Sequence, residues 1–206
     1  FIWADSSFFD VFPFKLLKGN RSELLRDTHT AILAESTAKR FFGDLDPIGK
    51  SIRIGEEDHE VVGIMEDLPD NSHMKINALM PAMDIEFLRQ PSFYVASAYT
   101  YLKLVHGANP EAVNNKMPQL VDKYAAGQIE RELGVAYDKY IAAGNGYIYT
   151  LQAVSDIHLH SQRLNELRAN GNITMVRVLS FVGVLILLIA GINFVNLATA
   201  RSAERA

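Results

Sequence analysis

One uncharged stretch near the end of the chain constrains the fold more than any other feature. The 23 residues from Val178 to Ala200 contain no Asp, Glu, Lys or Arg. As a helix that rises about 1.5 Å per residue, the stretch would cross a hydrocarbon core of about 30 Å. A buried core helix is the alternative, but the centre of the stretch is apolar around its whole circumference, and Arg177 and Arg201 bracket it. The stretch therefore predicts a transmembrane helix.

Small and polar residues lie on the later half of this predicted span. Asn193, Asn196 and Thr199 recur at intervals of three residues, and Gly191 precedes them. Membrane helices carry small and polar residues of this kind where they pack against other helices. We therefore expect one face to contact neighbouring helices. Arginines on both sides of the span leave its orientation undecided.

Composition excludes several classes of protein. The chain has 206 residues, of which 49% are hydrophobic, and a net charge of −4, so a nucleic-acid partner is not expected. Cysteine is absent, which excludes thiolate metal sites, disulfides and a cysteine nucleophile. The chain begins at Phe1 without a signal-peptide pattern, and we expect it to be part of a longer protein.

The residues before about 171 have the pattern of an α+β domain, in which strand-helix-strand units place helices on a mixed sheet. An edge strand is predicted over residues 8–20, where a proline is tolerated. The first strand-helix-strand unit is predicted around residues 30–65. It consists of a short buried strand, a helix over 36–42 and a hairpin whose acidic turn lies at 56–58.

A second strand-helix-strand unit is predicted around residues 99–158. It begins with a strand over 99–105, the run YTYLKLV. The helix that follows has Asn109 as its N-cap and a proline at the first helical position, and it should kink at Pro118. A strand pair over 147–161 completes the unit.

These patterns divide the chain into two domains. A domain outside the membrane is predicted over residues 1–171, with less regular connections at about 76–98 and 127–146. Residues 172–206 are predicted to form the transmembrane helix and the start of the segment that follows it. Asn172 can cap the helix, which should begin near Ile173.

The run GDLDPIGKS, residues 43–51, resembles the phosphate-binding loop of nucleotide-binding proteins. That loop has four residues between its glycines and lies between a strand and a following helix. Here five residues separate Gly43 from Gly49, a helical pattern precedes the run and a strand pattern follows it. Lys50 therefore does not indicate a nucleotide site. Gly43 is interpreted as the glycine that ends a helix.

Two histidines offer the most direct candidate for a metal site. His158 and His160 are two residues apart in the predicted strand pair, so their imidazoles would project from one face, with Asp156 beside them. Further ligands are not evident in the sequence, and we favour a half-exposed strand over a metal site.

Three other groups of side chains are candidates for a catalytic or binding role. They are the carboxylates Glu66, Asp67 and Asp70, the serines Ser36, Ser72 and Ser161, and the methionines Met74, Met80 and Met83. The carboxylates surround a proline and favour a solvated turn over acid–base chemistry. The serines lack the G-x-S-x-G pattern of a hydrolase. The methionines suit either a core or an adaptable binding surface. The sequence thus predicts no catalytic, cofactor-binding or metal residues, and it leaves substrate-binding residues undetermined.

Five runs together carry a family resemblance: FFDVFPFKLLKGN, AESTAKRFFGDLDPIGKSIRI, VVGIMEDLPDNSHMK, LQAVSDIHLHS and LLIAGINFVNLATARSAERA. In this order they resemble the MacB-like periplasmic core domain followed by the start of an FtsX-like permease domain. The resemblance implies a permease subunit of an ABC transporter in the bacterial inner membrane. Most of the chain would then lie on the periplasmic side, and Arg201 to Ala206 would face the cytoplasm.

The resemblance also implies the partners. These are a cytoplasmic ATP-binding subunit or domain, a second permease copy and membrane lipid, with a periplasmic adaptor left open. The chain itself would not be an enzyme and would bind no cofactor. Its extracytoplasmic domain would couple ATP-driven motion of the membrane helices to export or to mechanical signalling. A membrane-anchored periplasmic sensor that feeds a signalling helix is the alternative.

Overall fold

The computed structural model describes residues 1–89, 93, 98–161 and 166–203. These residues form two compact units. The first unit contains residues 1–70 and 74–151, and the second contains residues 71–73 and those from 152 onward. The domain boundary that the sequence places after residue 171 stays a prediction.

A mixed sheet of six strands is the centre of the first unit. The strands are β1 (Ile2–Ala4), β2 (Leu16–Lys18), β3 (Thr30–Ala34), β4 (Ser51–Ile54), β5 (Glu57–Met65) and β6 (Ala78–Pro81). Their order is β1-β6-β3-β5-β2, and β4 also pairs with β5. β3 runs parallel to β5 and antiparallel to β6. With the helices described below, the sheet confirms the predicted α+β class.

The first predicted strand-helix-strand unit is confirmed. β3 leads directly into α2 (Glu35–Phe42), and the β4–β5 hairpin returns the chain to the sheet. The hairpin turn is shorter than predicted, because only Gly55 and Glu56 separate the strands. One core cluster joins α2 to the sheet through Ala31, Leu33, Ala38, Ile52, Val61, Ile64, Ala78 and Met80.

The predicted edge strand over residues 8–20 is largely wrong. Residues Phe8–Val11 form the short helix α1, and only β2 at the end of the run pairs with the edge of β5. The reason is the spacing of the aromatic residues. Phe8, Phe9 and Phe12 are all buried, and the i, i+1, i+4 pattern places them on one side of a helical turn.

β6 lies within a stretch that was expected to be less regular. Its four residues are all buried, so it does not show the alternation of a half-exposed strand. Two 3-10 turns follow it, at Ala82–Asp84 and Glu86–Arg89. Part of the expected irregular region, residues 90–92 and 94–97, lies outside the described residues.

The second predicted strand-helix-strand unit is wrong in both of its strands. Residues 99–105 are irregular, although their side chains make specific contacts. The rings of Tyr101 and Phe12 lie 4.9 Å apart, and Lys103 Nζ donates a hydrogen bond to Asp10 O at 2.9 Å. Most of these side chains are exposed, and only Tyr101 and Leu104 are partly buried.

The helix of that unit is confirmed, and it is interrupted near the predicted kink. It comprises α3 (Pro110–Asn114), α4 (Met117–Leu120), a π-helical turn (Val121–Ala125) and α5 (Ala126–Leu133), and α6 (Tyr137–Ala142) follows. Asn109 Oδ1 accepts a hydrogen bond from Glu111 N at 2.9 Å, as expected of the N-cap. The break falls just before Pro118, which lies in the first turn of α4, where its missing N–H is not needed.

Two helices lie in the second unit. α7 (Val154–His160) occupies the region predicted as a strand pair, and α8 spans Ile173–Ala203. Within α8, Ile173–Thr199 is long and apolar enough to cross a membrane, judged by length and composition. Asn172 Oδ1 accepts hydrogen bonds from the backbone N–H groups of Thr174 and Met175, so the predicted N-cap is confirmed.

Candidate functional site

The run GDLDPIGKS is a turn between a helix and a strand, as predicted. α2 ends at Gly43, which has φ +60° and donates its N–H to Lys39 O at 2.9 Å. Gly49 donates its N–H to Val61 O at 2.8 Å, and β4 begins at Ser51. A hydrogen bond from Lys18 lowers the pKa of Asp46 within the turn. The glycines therefore provide the backbone conformation of the turn, and no helix begins here whose N-terminus could bind a phosphate.

His158 and His160 do not form the strand pair that their spacing suggested. Both lie in α7, where residues two apart are about 200° apart around the helix axis. Their imidazoles therefore cannot project from one face of the helix. Asp156 lies one turn before His160 on the same helix. The predicted common face of the two histidines is wrong.

The carboxylates after β5 have structural partners. Glu66 Oε1 accepts a hydrogen bond from Lys15 N at 3.2 Å. Asp67 accepts hydrogen bonds from the backbone N–H of Ser36 at 3.1 Å and from its hydroxyl at 2.6 Å, so it caps the first turn of α2. Asp70 is exposed in the turn that follows.

Two of the three serines donate their hydroxyl groups to carboxylates. Ser36 donates its hydroxyl to Asp67, and the buried Ser161 donates its hydroxyl to Glu166. Ser72 lies in the short segment 71–73 of the second unit. A nucleophilic serine donates to a basic imidazole, and carboxylates accept these two hydroxyls instead.

Two of the three methionines are core residues. Met74 and Met80 are 2% and 1% exposed, and Met83 is 54% exposed. Met74 and Met80 therefore follow the core alternative, and they cannot belong to an adaptable binding surface.

The segment before α8 is held by hydrogen bonds within the second unit. Asn170 Nδ2 donates to Ser161 O at 3.1 Å, and Gly171 N donates to His158 O at 2.8 Å. Asn172 then caps α8. A Cβ at Gly171 would lie 3.0 Å from Leu159 Cδ2, so the backbone fits closely against α7. The connection is an ordered joint of α7 and residues 170–172.

The polar residues on α8 lie among exposed apolar side chains. Asn193, Asn196 and Thr199 are exposed, and Thr199 Oγ1 donates to Val195 O at 2.7 Å. Back-bonding of this kind satisfies a hydroxyl inside an apolar environment. Contact between this face and other membrane helices stays a prediction.

One cluster of ionisable side chains was missed by the sequence analysis. His29, Glu57 and His59 each offer one ligand atom, and these atoms lie within 4.8 Å of one another. His59 Nε2 lies 3.7 Å from Asp84 Oδ2, and both side chains are buried. The residues are up to 55 positions apart in sequence, so only strand register brings them together. The one local signal is that His59 is in phase with the buried Val61 along β5.

The chain is similar to known proteins over much of its length. Residues 1–120 match the family described as the MacB-like periplasmic core domain. A solved domain of a protein assigned as a permease, from Porphyromonas gingivalis, is 26% identical with a TM-score of 0.48, and the match covers 59% of this chain and 58% of that chain.

Two further solved structures are similar. The periplasmic region of MacB from Actinobacillus actinomycetemcomitans is 15% identical with a TM-score of 0.39, and the match covers 69% of this chain and 64% of that chain. The extracellular domain of the noncanonic ABC-type transporter YknZ from Gram-positive bacteria is 21% identical with a TM-score of 0.30, over 37% of this chain and 40% of that chain. In all three cases this chain spans less than two thirds of the solved chain. No curated protein matches the chain.

Proposed function

Because the chain belongs to the family of MacB-like periplasmic core domains, a domain of ABC transporter permeases, we propose that it couples ATP-driven motion of membrane helices to export or to mechanical signalling. In this proposal the first unit lies in the periplasm and α8 crosses the bacterial inner membrane. The observation that carries the proposal is the order along one chain. The family match over residues 1–120 is followed by an apolar helix of membrane-spanning length at Ile173–Thr199.

The partners follow from the proposed role. ATP hydrolysis belongs to a cytoplasmic ATP-binding subunit or domain, in keeping with the structural role of the run at residues 43–51. A second permease copy would pack against the polar face of α8, and lipid would cover its apolar faces. A periplasmic adaptor is a further candidate partner.

The ordered joint of α7 and residues 170–172 supports the coupling role. A membrane helix can move α7, and through α7 the chain that precedes it, only if the connection between α8 and α7 transmits displacement. Two backbone-directed hydrogen bonds to residues 158 and 161, and the close contact at Gly171, hold the start of α8 to α7. A passive tether would not need these contacts, because lengthening a flexible loop costs only about 0.6 kcal/mol per doubling.

The coupling role predicts the effect of a flexible insertion. A Gly-Ser segment of about ten residues, placed between Gly171 and Asn172, leaves the N-cap of α8 in place and adds flexible length before it. In the assembled transporter we expect unchanged ATP turnover. We also expect loss of the change in hydrogen exchange that ATP and vanadate induce in residues 1–151.

The same insertion between Asn145 and Gly146 is the control. These residues are exposed and irregular, so the insertion should leave the nucleotide-dependent change intact. Coupling through the joint is wrong if both insertions leave that change intact. Stimulation of a signalling domain without any ATP-dependent change would favour the sensor alternative.

A further inference from the structure

Sheet topology brings the starts of two strands and the end of a third to the same end of the sheet. β3 and β5 are parallel, so both begin at this end, and β6 is antiparallel to β3, so it ends there. His29 immediately precedes β3, and Glu57 and His59 lie in the first three residues of β5. Asp84 ends the 3-10 turn that follows β6. Four side chains with metal-binding atoms therefore gather beside the three central strands.

The buried half of this cluster consists of His59 and Asp84, whose side chains are 3% and 4% exposed. His59 Nδ1 lies 3.3 Å from the backbone oxygen of Glu57, and a proton on Nδ1 is placed to be donated to that oxygen. His59 Nε2 lies 3.7 Å from Asp84 Oδ2. Asp84 Oδ2 is buried and has no hydrogen-bond partner in the described part of the chain. Two atoms that can ligate a metal ion, His59 Nε2 and Asp84 Oδ2, thus face each other away from water.

The geometry around these two groups is that of a ligand pair and its support. Ligand atoms of a tetrahedral zinc site lie about 3.4 Å apart, so a separation of 3.7 Å needs only a small contraction. Metal-binding histidines commonly donate their other ring N–H to a backbone carbonyl, and His59 Nδ1 has such a carbonyl, that of Glu57, at 3.3 Å. Asp84 Oδ1 accepts the backbone N–H of His29 at 3.1 Å, which orients the free oxygen.

The exposed half consists of His29 and Glu57. His29 Nδ1 lies 3.7 Å from Glu57 Oε2. His29 also has φ +56°, a left-handed conformation that non-glycine residues rarely adopt. The hydrogen bonds from Glu60 N to His29 O at 2.8 Å and from His29 N to Asp84 hold the residue in this conformation. Its ring is thereby kept beside that of His59, with 5.9 Å between the ring centres.

We propose that His29, Glu57, His59 and Asp84 form a binding site for a divalent transition-metal ion, with Zn²⁺ as the best match. Two imidazoles and two carboxylates suit Zn²⁺, whereas Ca²⁺ and Mg²⁺ prefer oxygen ligands alone. The two carboxylates neutralise the charge of the ion. The ligand atoms of His29, Glu57 and His59 lie within 4.8 Å of one another, and Asp84 Oδ2 lies 3.7 Å from His59 Nε2. Asp84 is therefore the candidate for the fourth ligand of a tetrahedral, structural site that joins β3, β5 and β6. The proposal does not depend on the proposed transport function.

The test uses the full chain in detergent, stripped of metal with a chelator and then titrated with Zn²⁺. Calorimetry and elemental analysis after dialysis should give one ion per chain. Because the ion binds the folded state, the melting temperature should rise by about 5–10 °C at saturating Zn²⁺. Co²⁺ in place of Zn²⁺ should show the intense visible bands of a tetrahedral centre.

Two variants and a matched control locate the site. His29→Asn removes an exposed ligand, and asparagine tolerates the positive φ. It should weaken Zn²⁺ binding by about tenfold or more while the metal-free chain keeps its melting temperature. Asp84→Asn should weaken binding similarly. His106→Asn, at an exposed turn of the same unit, should leave binding unchanged.

The failure of Zn²⁺ to bind, or binding that His29→Asn and Asp84→Asn leave unchanged, would overturn the proposal. Binding that disappears only when His158 and His160 are replaced would overturn it as well, because the ion would be held in the second unit.

Discussion

At the scale of single residues, close approach of the backbone determines where a side chain is tolerated. Gly19 follows β2 with φ +107°, and a Cβ there would lie 2.6 Å from Val62 O. Gly55 in the β4–β5 turn also has a positive φ, of +66°, but a Cβ would meet nothing within 4 Å. The two glycines share a backbone requirement and differ in steric space.

This difference predicts unequal costs for alanine at the two positions. Gly19→Ala should lower the free energy of unfolding by about 3 kcal/mol, because strain and collision with the backbone of β5 add. Gly55→Ala should cost about 1 kcal/mol, from strain alone. Denaturant unfolding followed by the fluorescence of Trp3, the one tryptophan of the chain, measures both. Equal costs would show that the contact with Val62 is relieved by movement of β2.

At the scale of elements, helix ends are specified by neighbouring residues. Asn109 and Asn172 both cap helices through their side-chain oxygens, at α3 and α8. Gly43 ends α2, and the Asp67 carboxylate caps its start from a distant part of the chain. Caps made by the adjacent residue could be predicted, whereas the cap from Asp67 depends on the position of β5.

The cap of α3 can be tested by its local effect. Asn109→Ala removes the acceptor of the Glu111 N–H and should cost about 1 kcal/mol, while Asn109→Asp should preserve most of the stability. Hydrogen exchange at Glu111 should become faster in the alanine variant. Asn115→Ala, at the other end of α3, is the matched control and should leave the exchange of Glu111 unchanged. Faster exchange in both variants would indicate general fraying of α3.

At the scale of the whole molecule, the central question is the side of the membrane on which each unit lies. The chain has no cysteine, so single cysteines can report accessibility without further substitutions. A cysteine at Asn145, an exposed position of the first unit, should react in intact cells with a thiol reagent that cannot cross the inner membrane. A cysteine inserted after Ala203 should react only after permeabilisation. The reverse pattern would contradict the proposed orientation.

Features that depend on nearby residues could be predicted from the sequence. The uncharged stretch, the cap at Asn172 and the unit around residues 30–65 are local, because helix and strand periods are read within one segment. The predicted strand over 99–105 shows the limit of this reasoning. Apolar residues in a short segment favour a strand, but the ladder partner that makes a strand must come from elsewhere in the chain.

The sequence by itself therefore determined the α+β class, the apolar helix and the family resemblance, all of which rest on patterns in contiguous residues. Tertiary structure alone decided the central position of β6 and the meeting of His29, His59 and Asp84. Strand order and register create those neighbours, and neither is encoded in the spacing of residues along one segment. Contacts across 55 residues follow from the parallel pairing of β3 with β5 and the antiparallel pairing of β3 with β6.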